Sequence, residues 1–375
     1  YIPSIRNAEI ATNPIQSKMT THNHPVVEAE LVLEAQNDLG EGVVWDSRIQ
    51  LLHWVDIFRS ELHTLDPATG NHSIDVYPQS PCLSYITPRA NAPGFIATNA
   101  SSLVVLPPAT KPTTTSPTPV KREYDAVLDE TLDAKLVKDG VIRFNDGGVD
   151  PDGRVWFGSM GIDETKPEMP GKLFVWDKEK AVETMNNVGV SNGLGWSPDG
   201  RTVCTYSIVL TIYCYNLTYQ LLDYIDSRYD LVSAYTYSTT PPYWSNKRTF
   251  VLPPPALDAE NPTQGAYDGL CVDGVGNVWV ARWNDERVVG FNPEGKLIAM
   301  VRLKGCKSPT IPCFGGKDLT TMYIVSATSY RGGNGDHQKW PRSGDLFKVE
   351  CGPGTEMGKI LGAGWKGAER HRAQL

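Results

Sequence analysis

Short runs in which apolar and polar residues alternate recur along the chain, bounded by Gly, Pro or Asp. This is the pattern of half-buried β-strands joined by tight turns. The stretch RFNDGGVDPDGRVWFGSMG at 143–161 sets the grammar. Val149-Asp150-Pro151-Asp152-Gly153 predicts a turn, and Arg154 to Ser159 the returning strand. The same order then repeats: a Gly-led strand, a turn containing Asp or Gly, an aromatic-rich strand, a loop and a third strand. GGVDPDGRVWFGSMG (147–161) leads to GKLFVWDKE (171–179), and GLGWSPDGRTVCTYS (193–207) to LTIYCYNL (210–217). GLCVDGVGNVWVARWN (269–284) leads to RVVGFNPEGK (287–296), and GGKDLTTMYIVSA (315–327) to GDLFKVE (344–350). With LGEGVVWD and its partners at 39–71, and a weaker unit at 82–106, the count is six. Six such sheets, none able to bury both faces alone, predict an all-β, six-bladed propeller. The alternating strand Val27 to Ala35 is expected to pair beside Gly344 to Glu350 and so close the ring. Sustained 3.6-residue periodicity is scarce, which predicts little helix.

Where the alternation fails, the chain divides. Residues 1–27 read as a polar extension, with His22 and His24 in it, and 28–352 as one propeller. LPPATKPTTTSPTPVKREY within 106–124 reads as an exposed excursion. The segment 225–264, with YTYSTTPPYW at 235–244, reads either as an aromatic cover over one mouth of the ring or as a surface loop. Residues 353–375 form a C-terminal tail, basic and unpatterned from Lys366.

Charge narrows the partners. Against 35 basic residues stand 43 acidic ones, a net charge of −8, which argues against nucleic acid and anionic membrane surfaces. No run approaches the roughly 18 apolar residues of a membrane span. A small-molecule substrate is the expected partner. Seven cysteines, the acceptor triplets at Asn71, Asn99 and Asn216, and a chain starting at Tyr1 together predict a secreted glycoprotein, with a cytoplasmic protein as the alternative. Cys204 with Cys214, and Cys306 with Cys313, are spaced to bridge.

Chemistry concentrates where the innermost strands begin. Glu41 in LGEG, Asn192 in SNGLGW and Asp268 in YDGLCVD each fall just before the Gly that leads such a strand, and Arg143, Asn145 and Asp146 sit at the matching place in RFND. In a propeller these positions converge on the central channel. Two carboxylates and an amide oxygen crowded there repel one another unless a cation stands between them. An all-oxygen set suits Ca²⁺, with Mg²⁺ or Mn²⁺ also compatible and Zn²⁺ less so. Each residue has a plainer reading too: Glu41 as a turn cap, Asn192-Gly193 and Asp268-Gly269 as turn dipeptides, Arg143 as an ion-pair partner of Asp146.

LGEGVVWD, RFNDGGVDPDGRVWFGSMG, SNGLGWSPDGRT, YDGLCVDGVGNVWVARWN and CFGGKDLTTMYIVSA, taken in order, resemble the gluconolactonase/regucalcin (senescence marker protein) family. The resemblance covers most of 39–350 outside the two insertions. It implies a six-bladed propeller with one divalent metal in its channel, held by Glu41, Asn192 and Asp268. It implies Asp268 as the base and Arg143 and Asn145 as substrate contacts, and hence a metal-dependent hydrolase acting on a cyclic ester. Two departures stand out. Tyr206-Ser207-Ile208 replaces an Asp-Ser pair that the family carries after the SNGLGW strand, and the aromatic 225–264 segment has no counterpart. Both point to a less polar mouth. They motivate an alternative, a natural-product cyclase of hetero-Diels–Alder type on the same scaffold; a non-catalytic metal-binding propeller is the third reading.

Overall fold

The repeated grammar builds six sheets arranged around one channel. A computed structural model describes residues 24–163, 170–197, 220–227, 230–257, 265–332 and 334–375. The innermost strands are Gly40–Asp46, Leu83–Pro88, Ile142–Val149, Ser191–Trp196, Ala266–Val272 and Ser308–Gly315. Each is followed outward by antiparallel partners, as in Ile142–Val149, Val155–Gly161, Gly171–Asp177 and Lys180–Val188. The innermost strands touch one another in sequence, and the last touches the first. The protein is an all-β, six-bladed propeller, as the repeat predicts.

The core lies between blades. Six apolar clusters are shared by neighbouring sheets. Val43, Trp45 and Trp54 of the first blade pack with Ile311, Tyr323 and Val325 of the last. Trp156 and Val175 of the third pack with Trp196, Tyr235 and Tyr237 of the fourth. Both faces of every blade are therefore buried, which is why the inner strands lack a clean alternation.

The last blade takes its outer strand from near the start of the chain. Glu30–Leu33 runs antiparallel to Leu346–Glu350, with Leu31 opposite Phe347. Val26–Glu28 lies parallel to Leu297–Arg302 on the fifth blade. No sheet closes on itself through hydrogen bonds; the ring is held by side-chain packing between separate sheets.

Several expectations change. Much of the aromatic segment is strand rather than loop: Val232–Tyr237 and Trp244–Val251 are the outer strands of the fourth blade, while 228–229 and 258–264 lie outside the described residues. Tyr235, Tyr237 and Tyr243 are buried against Trp156, because a blade on an aromatic neighbour needs aromatic filling. The excursion at 106–124 is largely exposed, as its composition predicts, but it is held at two points. Val120–Lys121 pairs parallel with His72–Val76, and Asp75 accepts hydrogen bonds from Thr110 N and Oγ1, so this segment covers the outer edge of the first blade. The tail is also ordered, with a helix at Glu356–Leu361 and Trp365 and Ala373 buried.

Cys306 and Cys313 are free and buried in separate clusters. Asn99 is buried at a turn, its Oδ1 accepting from Ser101 N and Ser102 N. His22, Cys204, Cys214, Asn216 and the hairpin expected over 198–217 lie outside the described residues. Among the described residues no helix is long and apolar enough to cross a membrane.

Asp150 shows how a turn residue serves the interface. Its Oδ1 accepts from Asp152 N and Arg154 N, closing the predicted turn. Its Oδ2 accepts from Arg154 Nε, Trp156 Nε1 and the Tyr237 hydroxyl of the next blade. Asp150→Ala strands those donors in a dry interface and is expected to lower stability by about 3 kcal/mol, measured by urea unfolding. A loss within the ~0.5 kcal/mol typical of surface changes would reduce Asp150 to an ordinary turn residue.

Candidate functional site

Every innermost strand carries a β-bulge near its start. The pairing slips between Glu41 and Val44, Leu83 and Tyr85, Phe144 and Gly147, Asn192 and Leu194, Tyr267 and Leu270, and Pro309 and Ile311. A bulge kinks its strand and re-aims the side chains beside it. The glycines of the recurring motif have a second cause, the approach of neighbouring inner strands. A Cβ on Gly193 would stand 2.8 Å from Leu270 N, and one on Gly269 2.4 Å from Ile311 Cβ. Asn192-Gly193 and Asp268-Gly269 are thus strand residues at a bulge, and the turn reading is set aside.

The predicted residues meet in this layer. Glu41, Arg143, Asn145, Asp146, Asn192 and Asp268 are all buried, at 4–9% exposure. One hydrogen-bonded chain crosses three blades. Arg143 Nη1 donates to Asn145 Oδ1 at 2.7 Å, and Asn145 Nδ2 to Asn192 Oδ1 at 2.7 Å. Asn192 Nδ2 donates to Ser227 Oγ at 2.7 Å, whose hydroxyl donates to the Tyr267 carbonyl next to Asp268. Arg143 Nη1 also donates to Phe144 O at 2.8 Å.

The charged groups of this layer act on one another. Burial drives the Glu41 carboxyl well above its ordinary range, and the negative charges of Asp268 and Asp146 push it further, against Gly42 N–H and Arg143. Burial lifts Asp146 to about 6, opposed by the charge of Arg370 and the Gly147 N–H. Asp146 Oδ2 is buried with no hydrogen-bond partner. Among the described residues no three His, Cys, Asp or Glu side chains form a metal-binding group by themselves; the set here includes an amide. The unpartnered Asp146 oxygen marks uncompensated negative charge in this layer, and Glu41, Asp268 and the Asn192 amide are oxygen groups of the kind a hard cation takes.

Three features escape the sequence pattern. The Asp-Ser pair is present as Asp226-Ser227, at the end of Gln220–Asp226, the partner strand of Ser191–Trp196. Asp226 accepts from Gly189 N and Val190 N, and Ser227 completes the chain above. The pair stands some twenty residues later than the motif spacing places it, and the run YIDS was its only signal. Near Arg143, the Phe58 ring lies 5.4 Å from its guanidinium carbon and 3.9 Å from that of Arg331, which is fixed by Asp38. From the tail, Arg370 Nη2 donates to Leu270 O at 2.7 Å and Pro312 O at 3.1 Å.

Known proteins share this architecture. The sequence profile described as the SMP-30/Gluconolactonase/LRE-like region matches residues 39–328. Regucalcin of Xenopus laevis is 30% identical over 334 residues, covering 86% of this chain and 94% of that protein. The 6-deoxy-6-sulfogluconolactonase of Pseudomonas putida is 30% identical over 317 residues, covering 84% of this chain and 92% of the enzyme. Among solved structures, a calcium-binding protein, regucalcin, from Agrobacterium tumefaciens superposes with a TM-score of 0.70 at 21% identity. That match covers 94% of this chain and 99% of the other, and it is a likeness of fold.

The charge crowding has a measurable sign. An acid whose pKa is raised on folding favours the folded state below its unfolded range, and that contribution is lost as pH rises through about 6. Asp146→Asn removes the penalty. With chelator present, the variant should gain stability over the native chain by roughly 2–3 kcal/mol more at pH 7.5 than at pH 4, read by thermal or urea unfolding at both pH values. A pH-independent difference would contradict a buried, strained carboxylate.

Proposed function

The chain belongs to the SMP-30/gluconolactonase/LRE-like family, and from that premise we propose that it hydrolyses a lactone in its channel with the help of a divalent cation. The observation that carries this reading is the meeting of Glu41, Asp146 and Asp268 charges beside the Asn192 amide. Glu41, Asn192 and Asp268 would hold the cation; the naming of a relative as calcium-binding favours Ca²⁺, with Mg²⁺ and Mn²⁺ the other hard candidates. Bound there, it would polarise the ester carbonyl as a Lewis acid.

The chain's own residues divide the remaining work. Asp268 takes a proton from the attacking water as that oxygen bonds to the lactone carbonyl carbon. The ring C–O bond then breaks, the same proton passes to the departing ring oxygen, and the product is an open hydroxy acid. Asn145, its amide fixed between Arg143 and Asn192, orients the substrate, as does Arg143, held against Phe58. Burial of the layer excludes bulk water and strengthens each of these contacts.

Two observations favour hydrolysis over the cyclase alternative. Asp226-Ser227 supplies an Asp-Ser pair bonded to Asn192, and Tyr235, Tyr237 and Tyr243 fill the interface between blades. The names of relatives as lactonases support hydrolysis. Closure of the ring by the strand at 30–33 is part of the same proposal, supported by its pairing with Leu346–Glu350.

A panel of aldonolactones, followed by acid release, tests the reading. Asp268→Asn is expected to lower kcat by 10²–10⁴-fold, and chelation to abolish turnover until a divalent cation is restored. Turnover that survives chelation sinks the cation; full activity in Asp268→Asn sinks the assigned base.

A further inference from the structure

The seam between the last blade and the first is where the ring must close. At the end that holds the site the chain itself crosses it: Asn37 N donates to Gly344 O, and Leu39 pairs with Ala327. The tail crosses the seam at the opposite end. Gly367 N donates to Leu319 O on a turn of the sixth blade. Shortly after, Glu369 accepts from Ser47 N at 3.0 Å and Ser47 Oγ at 2.7 Å, on a turn of the first. Both turns join an inner strand to its neighbour, away from the bulges.

The tail follows the ring on either side of that crossing. Before it, Lys366 O accepts from Gly274 N of the fifth blade. After it, Ala373 bonds through N and O to Pro88 O and Ala90 N of the second, and Gln374 N donates to Gly153 O of the third. Trp365 enters the interface of the fifth and sixth blades as a blade residue would. In the third blade, Asp150 Oδ2 accepts from Trp156 of its own sheet and from Tyr237 of the next. At the matching turn of the fifth, Asp273 Oδ2 accepts from Trp279 and, at 2.7 Å, from Trp365 Nε1. The Trp365 ring lies edge-on to Phe314 of the sixth blade, 5.4 Å between centroids. The tail thus supplies a donor that a neighbouring blade supplies elsewhere.

We propose that residues 365–375 are a clasp, bound in ring order from the fifth blade to the third, that locks the seam at the end away from the site. A ring of separately bonded sheets opens most readily where its two ends meet, and a segment bonded to both sides raises the cost of that opening. Gly362 and Gly364 precede the clasp at positive φ with open space around them, an exposed joint between it and the helix Glu356–Leu361. The inference stands apart from the lactonase reading, and its test needs no substrate.

A protease recognition sequence inserted at the exposed Ala363 lets the chain fold intact and be cut afterwards. Hydrogen exchange is then followed by mass spectrometry, strand by strand. Cutting is expected to speed exchange at least about tenfold in Leu51–Asp56 of the first blade and Thr321–Ala327 of the sixth, while Val232–Tyr237 of the fourth is unchanged. Trp365→Ala, which removes the anchor without a cut, should give the same localised pattern to a smaller degree. Equal acceleration in all three strands, up to loss of the fold, would make the tail a general stabiliser and not a clasp. Unchanged exchange at the seam in both proteins would overturn the inference outright.

Discussion

Face-to-face packing of neighbouring blades is the constraint from which the rest follows. A four-stranded antiparallel sheet has two apolar faces, and here each is satisfied only by the next sheet around the ring. The clusters are correspondingly interfacial, none belonging to one blade alone. Packing of this kind fixes the inner strands so close together that side chains are excluded at Gly193 and Gly269. The closeness that stabilises the ring also sets the width of its channel.

The site is a by-product of that crowding. Bulges at one level of every inner strand divert polar side chains from the sheet toward the axis, where residues from distant parts of the chain become neighbours. Interblade hydrogen bonds through Asn145, Asn192 and Ser227 then fix the amides without spending their positions on mobile loops. Unfavourable electrostatics are tolerated because roughly a core's worth of apolar contact surrounds them, which is the usual balance at functional layers.

Much of this was legible in the sequence. Blade number followed from the repeat of Gly-led strands, and Glu41, Asn192, Asp268, Arg143 and Asn145 from their common place in it. What escaped did so for physical reasons. Tyrosines and prolines at 235–244 look like a loop because strands packed against Trp156 need not alternate. Asp226-Ser227 was hidden because chain spacing, not strand pairing, was the ruler. The tail from Lys366 has no period because it lies across loop ends, where single residues such as Trp365 and Arg370 carry the contacts. Cysteine spacing at 306 and 313 was silent about direction, and the two thiols face separate clusters.

The strand pair at Val26–Glu28 and Glu30–Leu33 has a consequence for biosynthesis. These residues leave the ribosome before the first innermost strand, yet their partners at Leu297–Arg302 and Leu346–Glu350 are made only with the fifth and sixth blades. Until then the nascent protein holds an unmatched ribbon at one end and an incomplete blade at the other, both open to wrong pairing with a second chain. Maturation is therefore gated by synthesis of the sixth blade, and chaperone protection matters most in the interval just before it.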